Sequence, residues 1–562
     1  MSVYANDSQY QSTTAESLVP PPRMTPPSQF NFSSNVRVSN NRNVRERDHR
    51  GQRDYHDYHE RDRDRDRDYH KDRERDRNYN RDYNIRDRDS FRSSQHQQQQ
   101  QQLQDQFQPT LQQFPQNYNS QCAQQSFQQP PLHSVFKIVQ SAEWFGLESV
   151  VSTSPVSFPV IDIDMRKACL PNFDLFCYNA LVSNLARKRI AIAALDQKVL
   201  VQARSATNAF ALVSDAQNIF INRAAIKMAN LDALTNADGN GGSIVSRMIS
   251  TGAQTGGKLR FVDLCSGPGG FSEYILFRLR RKGFPNKSAP IIRGYGITLR
   301  GELDFDESLI RRERDFFVPF YGRDGTGDLT ILENLDAFAN RVVGVDQKIG
   351  RVALVTADGA FSCAGDEGNQ ENHVKLVLLA EILAMFKVLR RGGDFVIKTF
   401  ELLTPFSVGL VYILYKSFKR ISISKPFSSR PANSERYIIC QDLVNPPPVE
   451  LIQQLSEGLK TLRGLRQPPA HDAFSGGLVS SHTIPPAGFI PLEERIALGL
   501  FDIYSLINVD DIMKNDEAFV EWIKESNVKI TMRQIEALEK IENFVRDGTN
   551  SVSNSEQQEI SK

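Results

Sequence analysis

The chain has 562 residues and a formal charge of +1 at pH 7, with 68 Lys and Arg against 67 Asp and Glu. That length allows two or three domains, and because Arg and Asp alternate and nearly cancel in one N-terminal block, the net charge says little about partners. The 6 cysteines form no CxxC pair, which excludes a disulfide framework or a zinc ribbon. With no signal pattern at the N-terminus and no apolar run of membrane-spanning length, the expectation is a soluble intracellular protein with reduced thiols, no metal and no membrane.

Residues 1–131 read as a disordered tail. A Ser/Pro/Asn-rich start leads into Arg-Asp and Arg-Glu dipeptides from Arg45 to Arg92, and a glutamine tract follows from Gln95. Such a segment buries too little apolar surface to offset chain entropy. Either it only keeps the protein solvated, or it is an interaction tail. Mixed-charge arginine tails resemble those of nuclear RNA-processing proteins, which implies a nuclear location and contacts with transcription or RNA-processing machinery.

Residues 132–214 read as an N-terminal helical segment. Phe173, Phe176, Ala180, Leu181 and Leu185 share a face, and the basic run Arg187-Lys188-Arg189 follows. From Ala211 to Leu234 a further stripe of Phe220, Ala224, Met228 and Leu231 has Lys227 beside it. Asp238 to Thr255, rich in Gly and Ser, reads as a loop.

Leu259 to Leu279 is the centre of the pattern. An apolar strand runs into Asp263, the turn Ser266-Gly267-Pro268-Gly269-Gly270 follows, and Phe271, Ile275 and Leu279 mark a helix. A glycine turn at a strand end lets a ligand approach the backbone, and Asp263 can hold a hydroxyl or amine. The spacing is neither the dinucleotide GxGxxG nor a P-loop. Strands follow at Ile291–Leu299, Arg351–Val355 and Asp394–Phe400, and again near Arg420–Ser424 and Tyr437–Cys440. Arg300 to Asp328 reads as irregular, Val374 to Leu389 as a helix covered on both sides, and Gly392-Gly393 as its break. The predicted fold is α/β, a doubly wound Rossmann-like sheet over 215–445 with flanking helices. The run Asn445-Pro446-Pro447-Pro448 ends it, and 446–562 reads as a linker to about Pro486 and then helices. Thr531 and Gln534 read as the capping box of the last helix and Gly548 as its stop.

Three side chains break local expectation. Asp358 ends a buried strand, Lys398 lies within an apolar strand, and Glu435 directly precedes another. A carboxylate or ammonium there is costly unless paired. Each has a bland explanation as a salt bridge, a snorkelling lysine or a strand-end charge. Together with Lys227 they make two bases and two acids.

The string D-x-C-S-G-P-G-G-F from Asp263 to Phe271 resembles the first motif of S-adenosylmethionine (SAM)-dependent 2′-O-methyltransferases of the FtsJ/RrmJ family. Lys227, Asp358, Lys398 and Glu435 match that family's Lys-Asp-Lys-Glu tetrad in order and context. The strings NRAAIKMAN, ADGAFS, IKTFELLTPFSVGLVY and KPFSSRPANSERY resemble more narrowly the cap-specific mRNA 2′-O-methyltransferases. The resemblance covers about 185–442 and, weakly, the C-terminal helices, and not the tail. The G-patch, guanylyltransferase-like and WW modules of longer animal relatives are not apparent, and extra residues stand between Phe361 and Asn372.

The resemblance implies a SAM cofactor, a capped mRNA partner and methylation of the ribose 2′-OH of the first transcribed nucleotide. Cys265, Ser266, Gly267, Pro268, Gly269, Gly270 and Phe271 should line the cofactor, with Asp328 and Leu329 at its adenine. Arg189, Arg204, Asn222, Asn433 and the run Asn372-His373-Val374 should meet the capped substrate, although His373 could equally be an exposed helix-start histidine. Lys398 is expected to act as the base, with its pKa lowered by burial and by Lys227, and Asp358 and Glu435 should orient the lysines and the hydroxyl. An rRNA or tRNA 2′-O-methyltransferase of the same fold, or an inactive nuclear RNA-binding scaffold, stay open as alternatives.

Overall fold

The computed structural model describes residues 142–146, 157–214, 219–236, 242–254, 257–281, 291–344, 350–360, 367–466 and 492–553, with Ser555 and Gln557. The expected tail and the stretch 467–491 lie outside the described residues.

In chain order, β1 (Phe145–Gly146) and β2 (Asp164–Lys167) precede α1 (Asn179–Ala193), α2 (Gln197–Ala206), α3 (Arg223–Leu234) and α4 (Ile244–Gln254). Then come β3 (Lys258–Leu264), α5 (Gly270–Arg281), β4 (Ile291–Ile297), α6 (Glu307–Glu313), β5 (Phe317–Phe320) and α7 (Leu332–Val343). The second half of the sheet is β6 (Val352–Ala357), α8 (Gln370–Val388), β7 (Leu389–Phe400), α9 (Pro405–Ser417), β8 (Phe418–Ser424) and β9 (Glu435–Leu443). After it stand α10 (Val449–Arg466), α11 (Leu492–Ala497), β10 (Phe501–Ser505), α12 (Val509–Asn515) and α13 (Glu517–Asp547).

Eight strands form one sheet in the order β1-β8-β9-β7-β6-β3-β4-β5. The stretch from β7 to β5 is parallel, and β9 runs antiparallel to both β7 and β8. The sheet is the doubly wound one predicted, with an antiparallel pair added at one side. Strand order reverses between β3 and β6, the switch point where open α/β sheets leave a ligand crevice. Because strand side chains alternate, Leu259 and Phe261 of β3 join a core with α3, α4 and α5, while Val262 and Leu264 join a larger core with α7, α8 and α9.

Several elements depart from the sequence reading for identifiable reasons. The predicted loop 238–255 contains α4, whose Ile244, Val245 and Met248 are buried and whose Val245 N–H donates to Asp232. The stretch predicted irregular holds α6, capped by Asp306, and β5, whose Pro319 is tolerated because β5 is the sheet's edge. Helix α8 ends at Val388, so the glycines do not break it; they lie inside β7, with Gly392 at φ +71°. Helix α10 occupies the first part of the predicted linker, directly after the proline run. Thr531 and Gln534 are buried in the middle of α13 and cap nothing, whereas Gly548 ends that helix in the left-handed conformation as predicted.

The segments on either side of the sheet domain meet each other. Leu185, Ile192, Leu200 and Ala203 of α1 and α2 form a cluster with Ile535, Leu538 and Ile541 of α13, and β2 pairs with β10. The last long helix is also tied to the sheet. Fully buried Asn527 donates to the carbonyls of Phe176 and Leu402, each at 2.8 Å, and accepts from the Arg436 guanidinium at 2.7 Å. Removing that amide strands two carbonyls and a buried cation. Asn527→Leu is therefore expected to cost about 3 kcal/mol in urea unfolding, whereas the same change at exposed Glu525 is expected to cost little.

Candidate active site

Asp263, at the end of β3, is fully buried. Its carboxylate accepts from the Ser272 N–H at 3.0 Å, the Ser272 hydroxyl at 2.6 Å and the Thr356 hydroxyl at 2.7 Å. It locks the start of α5 to β3 and β6 rather than waiting for a ligand, and this corrects the sequence expectation. The glycines of the turn also answer to the protein. A Cβ on Gly267 would meet the Leu303 carbonyl at 1.8 Å, and one on Gly270 would meet the Asn222 side chain at 2.1 Å. Gly269 sits at φ +109°, closed to ordinary side chains. The turn thus packs between the 298–305 segment and the start of α3 while lying at the switch point. There the Asp358 N–H, at the end of β6, donates to the carbonyl of Leu264.

Four charged side chains from three elements and one strand-end loop converge there. Lys227, on α3, pairs with Glu435 at 2.9 Å, and Lys398, on β7, pairs with Asp358 at 2.9 Å. The Lys398 ammonium also donates to the Asp358 carbonyl at 2.6 Å. Antiparallel pairing sets Tyr437 opposite Lys398 and Glu435 opposite Phe400. The Tyr437 hydroxyl lies 3.0 Å from the Asp358 carboxylate and 3.4 Å from that of Glu435, joining the two ion pairs. Phe271 of the glycine turn packs on the Tyr437 ring. All four predicted side chains therefore stand in one network.

Its electrostatics follow from burial. Loss of water pushes the Glu435 carboxyl up, but Lys227 and Lys398 outweigh it and hold the group down at about 2. Burial pulls the Lys398 ammonium down, yet Asp358, Glu435 and Glu381 more than compensate, and its pKa is raised. The expected lowering of Lys398 is thus not realised in the protein by itself, because the carboxylates that position the amine also stabilise its charge.

Three participants are not evident from the sequence reading. Tyr437 is one. Lys425, just after β8, is buried and donates to the Asn433 carbonyl, the Asn433 side chain and the Glu435 carbonyl, each at 2.8 Å; burial pulls it down to about 7. Glu381, inside α8, accepts from the Gly359 N–H at 3.0 Å, and burial pushes it up to about 8. A charged residue inside an apolar run points to Lys398, and the same signal marks Glu381.

The remaining candidates spread around this centre. Cys265 sits at φ +50° with its thiol raised by burial, and Leu329 is buried. The Asp328 carboxylate accepts from the Thr330 N–H and hydroxyl at 2.9 and 2.6 Å and from Arg463 at 3.0 Å. Arg189 pairs with Glu401 at 2.7 Å, and Arg204 is exposed in the last turn of α2. Asn222 caps α3 by accepting from the Ala224 N–H, and Asn433 orients Lys425. Asn372, His373 and Val374 are only 8%, 4% and 3% exposed in the first turn of α8, where Arg466 binds the Asn372 carbonyl. They present little surface in this structure, and His373 is not an exposed helix-start residue. Among the described residues no group of three or more His, Cys, Asp or Glu could hold a metal, and no helix is long and apolar enough to cross a membrane.

Residues 220–443 match the FtsJ-like methyltransferase family. The chain is also similar to proteins named cap-specific mRNA (nucleoside-2′-O-)-methyltransferase 1. The Mus musculus protein is 34% identical over 71% of this chain and 43% of its own length. The Danio rerio protein is 36% identical over 66% and 40%, and the Dictyostelium discoideum protein 31% over 66% and 44%. The chain thus spans less than half the length of these curated relatives.

The depressed Glu435 pKa makes a pH prediction. A carboxyl held at about 2 against an ordinary 4.5 contributes stability that is present above pH 4.5 and lost as pH falls toward 2. Urea unfolding at pH 5 and pH 3 should show the wild type losing about 2 kcal/mol more than Glu435→Gln over that interval. Equal losses would mean that the pair holds no charge in the folded protein.

Proposed function

We propose, from the match of residues 220–443 to the FtsJ-like methyltransferase family, that the chain is a SAM-dependent enzyme that methylates the ribose 2′-OH of the first transcribed nucleotide of capped mRNA. The observation that carries this reading is the convergence of Lys227, Asp358, Lys398 and Glu435 beside the glycine turn at the switch point.

The cofactor fits the chemistry of the residues there. SAM carries an ammonium, a pair of ribose hydroxyls and an adenine amine, and carboxylates stand after β5 and β6 at Asp328 and Asp358 to meet cationic and donor groups. Cys265 to Phe271 would line its methionine and ribose, and Asp328 with Leu329 its adenine. When bound, it supplies an electrophilic methyl group and a positive sulfonium.

The chain's own residues do the rest. Lys398 Nζ takes the 2′-hydroxyl proton as the ribose oxygen attacks, and Asp358 holds that amine in place through two contacts, at 2.9 and 2.6 Å. Lys227, tethered by Glu435, is the second amine available to the hydroxyl oxygen. Because the carboxylates raise Lys398, proton acceptance requires additional positive charge beside it, and a sulfonium meets that requirement. Exposed Arg204 supplies a cation for the triphosphate bridge of a cap, whereas Arg189 would have to leave Glu401 to do so. Asn222 and Asn433 act through their neighbours, as supports of α3 and of Lys425. The similar proteins' names support the capped substrate. A nuclear location, with residues 1–131 contacting transcription or RNA-processing machinery, completes the proposal and rests on the tail's composition.

Methyl transfer from labelled SAM should be much greater with capped than with uncapped transcripts. Equal transfer, or transfer only to rRNA or tRNA, would favour another substrate of the same fold, and no transfer to any RNA would favour an inactive binding protein. Lys398→Ala is expected to lower transfer by at least about a thousandfold while SAM binding survives; equal loss of both would remove Lys398 from the proton step.

A further inference from the structure

Helix α10 lies outside the matched residues 220–443, yet it reaches the end of the site assigned to adenine. Arg463 Nη1 is 3.0 Å from Asp328 Oδ2 and also donates to the Thr330 hydroxyl. The other carboxylate oxygen, Oδ1, is held by the Thr330 N–H and hydroxyl at 2.9 and 2.6 Å. The Asp328 main chain is fixed as well, its carbonyl accepting from Asn334 at 3.1 Å and its N–H donating to Thr326 at 3.2 Å. An aspartate with both oxygens and both peptide groups engaged has one orientation. Each carboxylate oxygen still has lone-pair capacity beyond these bonds. Beside the pair a cleft of about 220 Å³ opens between α7 and α10, lined by Thr330, Ile331, Leu332, Lys460, Arg463 and Gly464 among others. The arginine is about one-fifth exposed and the aspartate about one-seventh, so the pair is sheltered without being sealed.

We propose that Arg463 is a positioning residue for cofactor recognition: from a helix beyond the matched residues, it orients the Asp328 carboxylate that accepts the adenine amine. The inference rests on Asp328 being the adenine acceptor of the proposed function. Its physical basis is that a charge-assisted bond fixes the carboxylate plane, and that an acceptor aimed in advance loses less entropy on binding than a free one. Recognition of adenine is then distributed between the sheet domain and the C-terminal extension.

The test is calorimetric binding of S-adenosylhomocysteine to the full chain and to Arg463→Ala, Arg463→Lys and Asp328→Asn, with S-inosylhomocysteine, in which oxygen replaces the amine, as the second ligand. Arg463→Ala is expected to bind the adenine ligand about tenfold more weakly, to lose most of the discrimination against the inosine ligand, and to raise KM for SAM with little change in kcat. Arg463→Lys should recover part of the affinity and discrimination, which a general loss of packing would not allow. Unchanged affinity in Arg463→Ala would overturn the proposal. So would tighter binding, because the arginine would then be covering the aspartate. Should Asp328→Asn also leave affinity and discrimination intact, the adenine assignment itself fails; should Asp328→Asn lose both while Arg463→Ala loses neither, only the role of Arg463 fails.

Discussion

Burying charge is expensive unless every charge has a partner, and the site is organised by that constraint. Lys227–Glu435 and Lys398–Asp358 balance two cations with two anions, and one phenol, Tyr437, touches both carboxylates. Removing any member strands another in a place that water reaches poorly. The arrangement depends in turn on sheet register. Lys398 faces Tyr437 because β7 and β9 pair as they do, and a slip of one residue would turn Tyr437 and Glu435 to the opposite face. The geometry of the site therefore inherits its precision from backbone pairing of β7 with β9.

Around this centre a second set of contacts joins segments distant in sequence. Asn527 of α13 holds Arg436, the residue between Glu435 and Tyr437, and Arg463 of α10 holds Asp328. Helices α1 and α2 are packed on α13. The C-terminal extension thus touches the sheet domain behind β9, at Arg436, and again near Asp328. A domain cut at residue 443 would lose both supports.

What is legible in the sequence is what has a local signature. The glycine turn follows an apolar strand, and Lys398 is a charge inside an apolar run, so both stand out from their neighbours in the chain. The same signal at Glu381 is muted because α8 is apolar nearly all round and one carboxylate in it passes as an exception. Helix α4 is hidden by its glycine- and serine-rich flank, and β5 by a proline that only an edge strand tolerates. The roles of Asp263 and of the turn's glycines are legible only in part. Their positions follow from the pattern, but the serine, threonine and carbonyl groups they answer to come from other elements. Tertiary partners also decide the fate of Asn372 to Val374. Nothing in that run foretells that α10 covers it and that Arg466 takes its carbonyl.

The tension in the site is that the carboxylates which place Lys398 also raise its pKa, so the proposed role as a base requires positive charge supplied with the cofactor. That relation can be measured directly by NMR titration of the full chain carrying ¹³Cε-labelled lysine, with Lys398→Arg used to assign the resonance. In the free protein the Lys398 signal should titrate above the ordinary lysine range, and on saturation with SAM its midpoint should fall. A midpoint that stays fixed or rises when the cofactor binds, or a Lys398 already neutral near pH 7 in the free protein, would contradict the coupling between the ion-pair network and proton transfer.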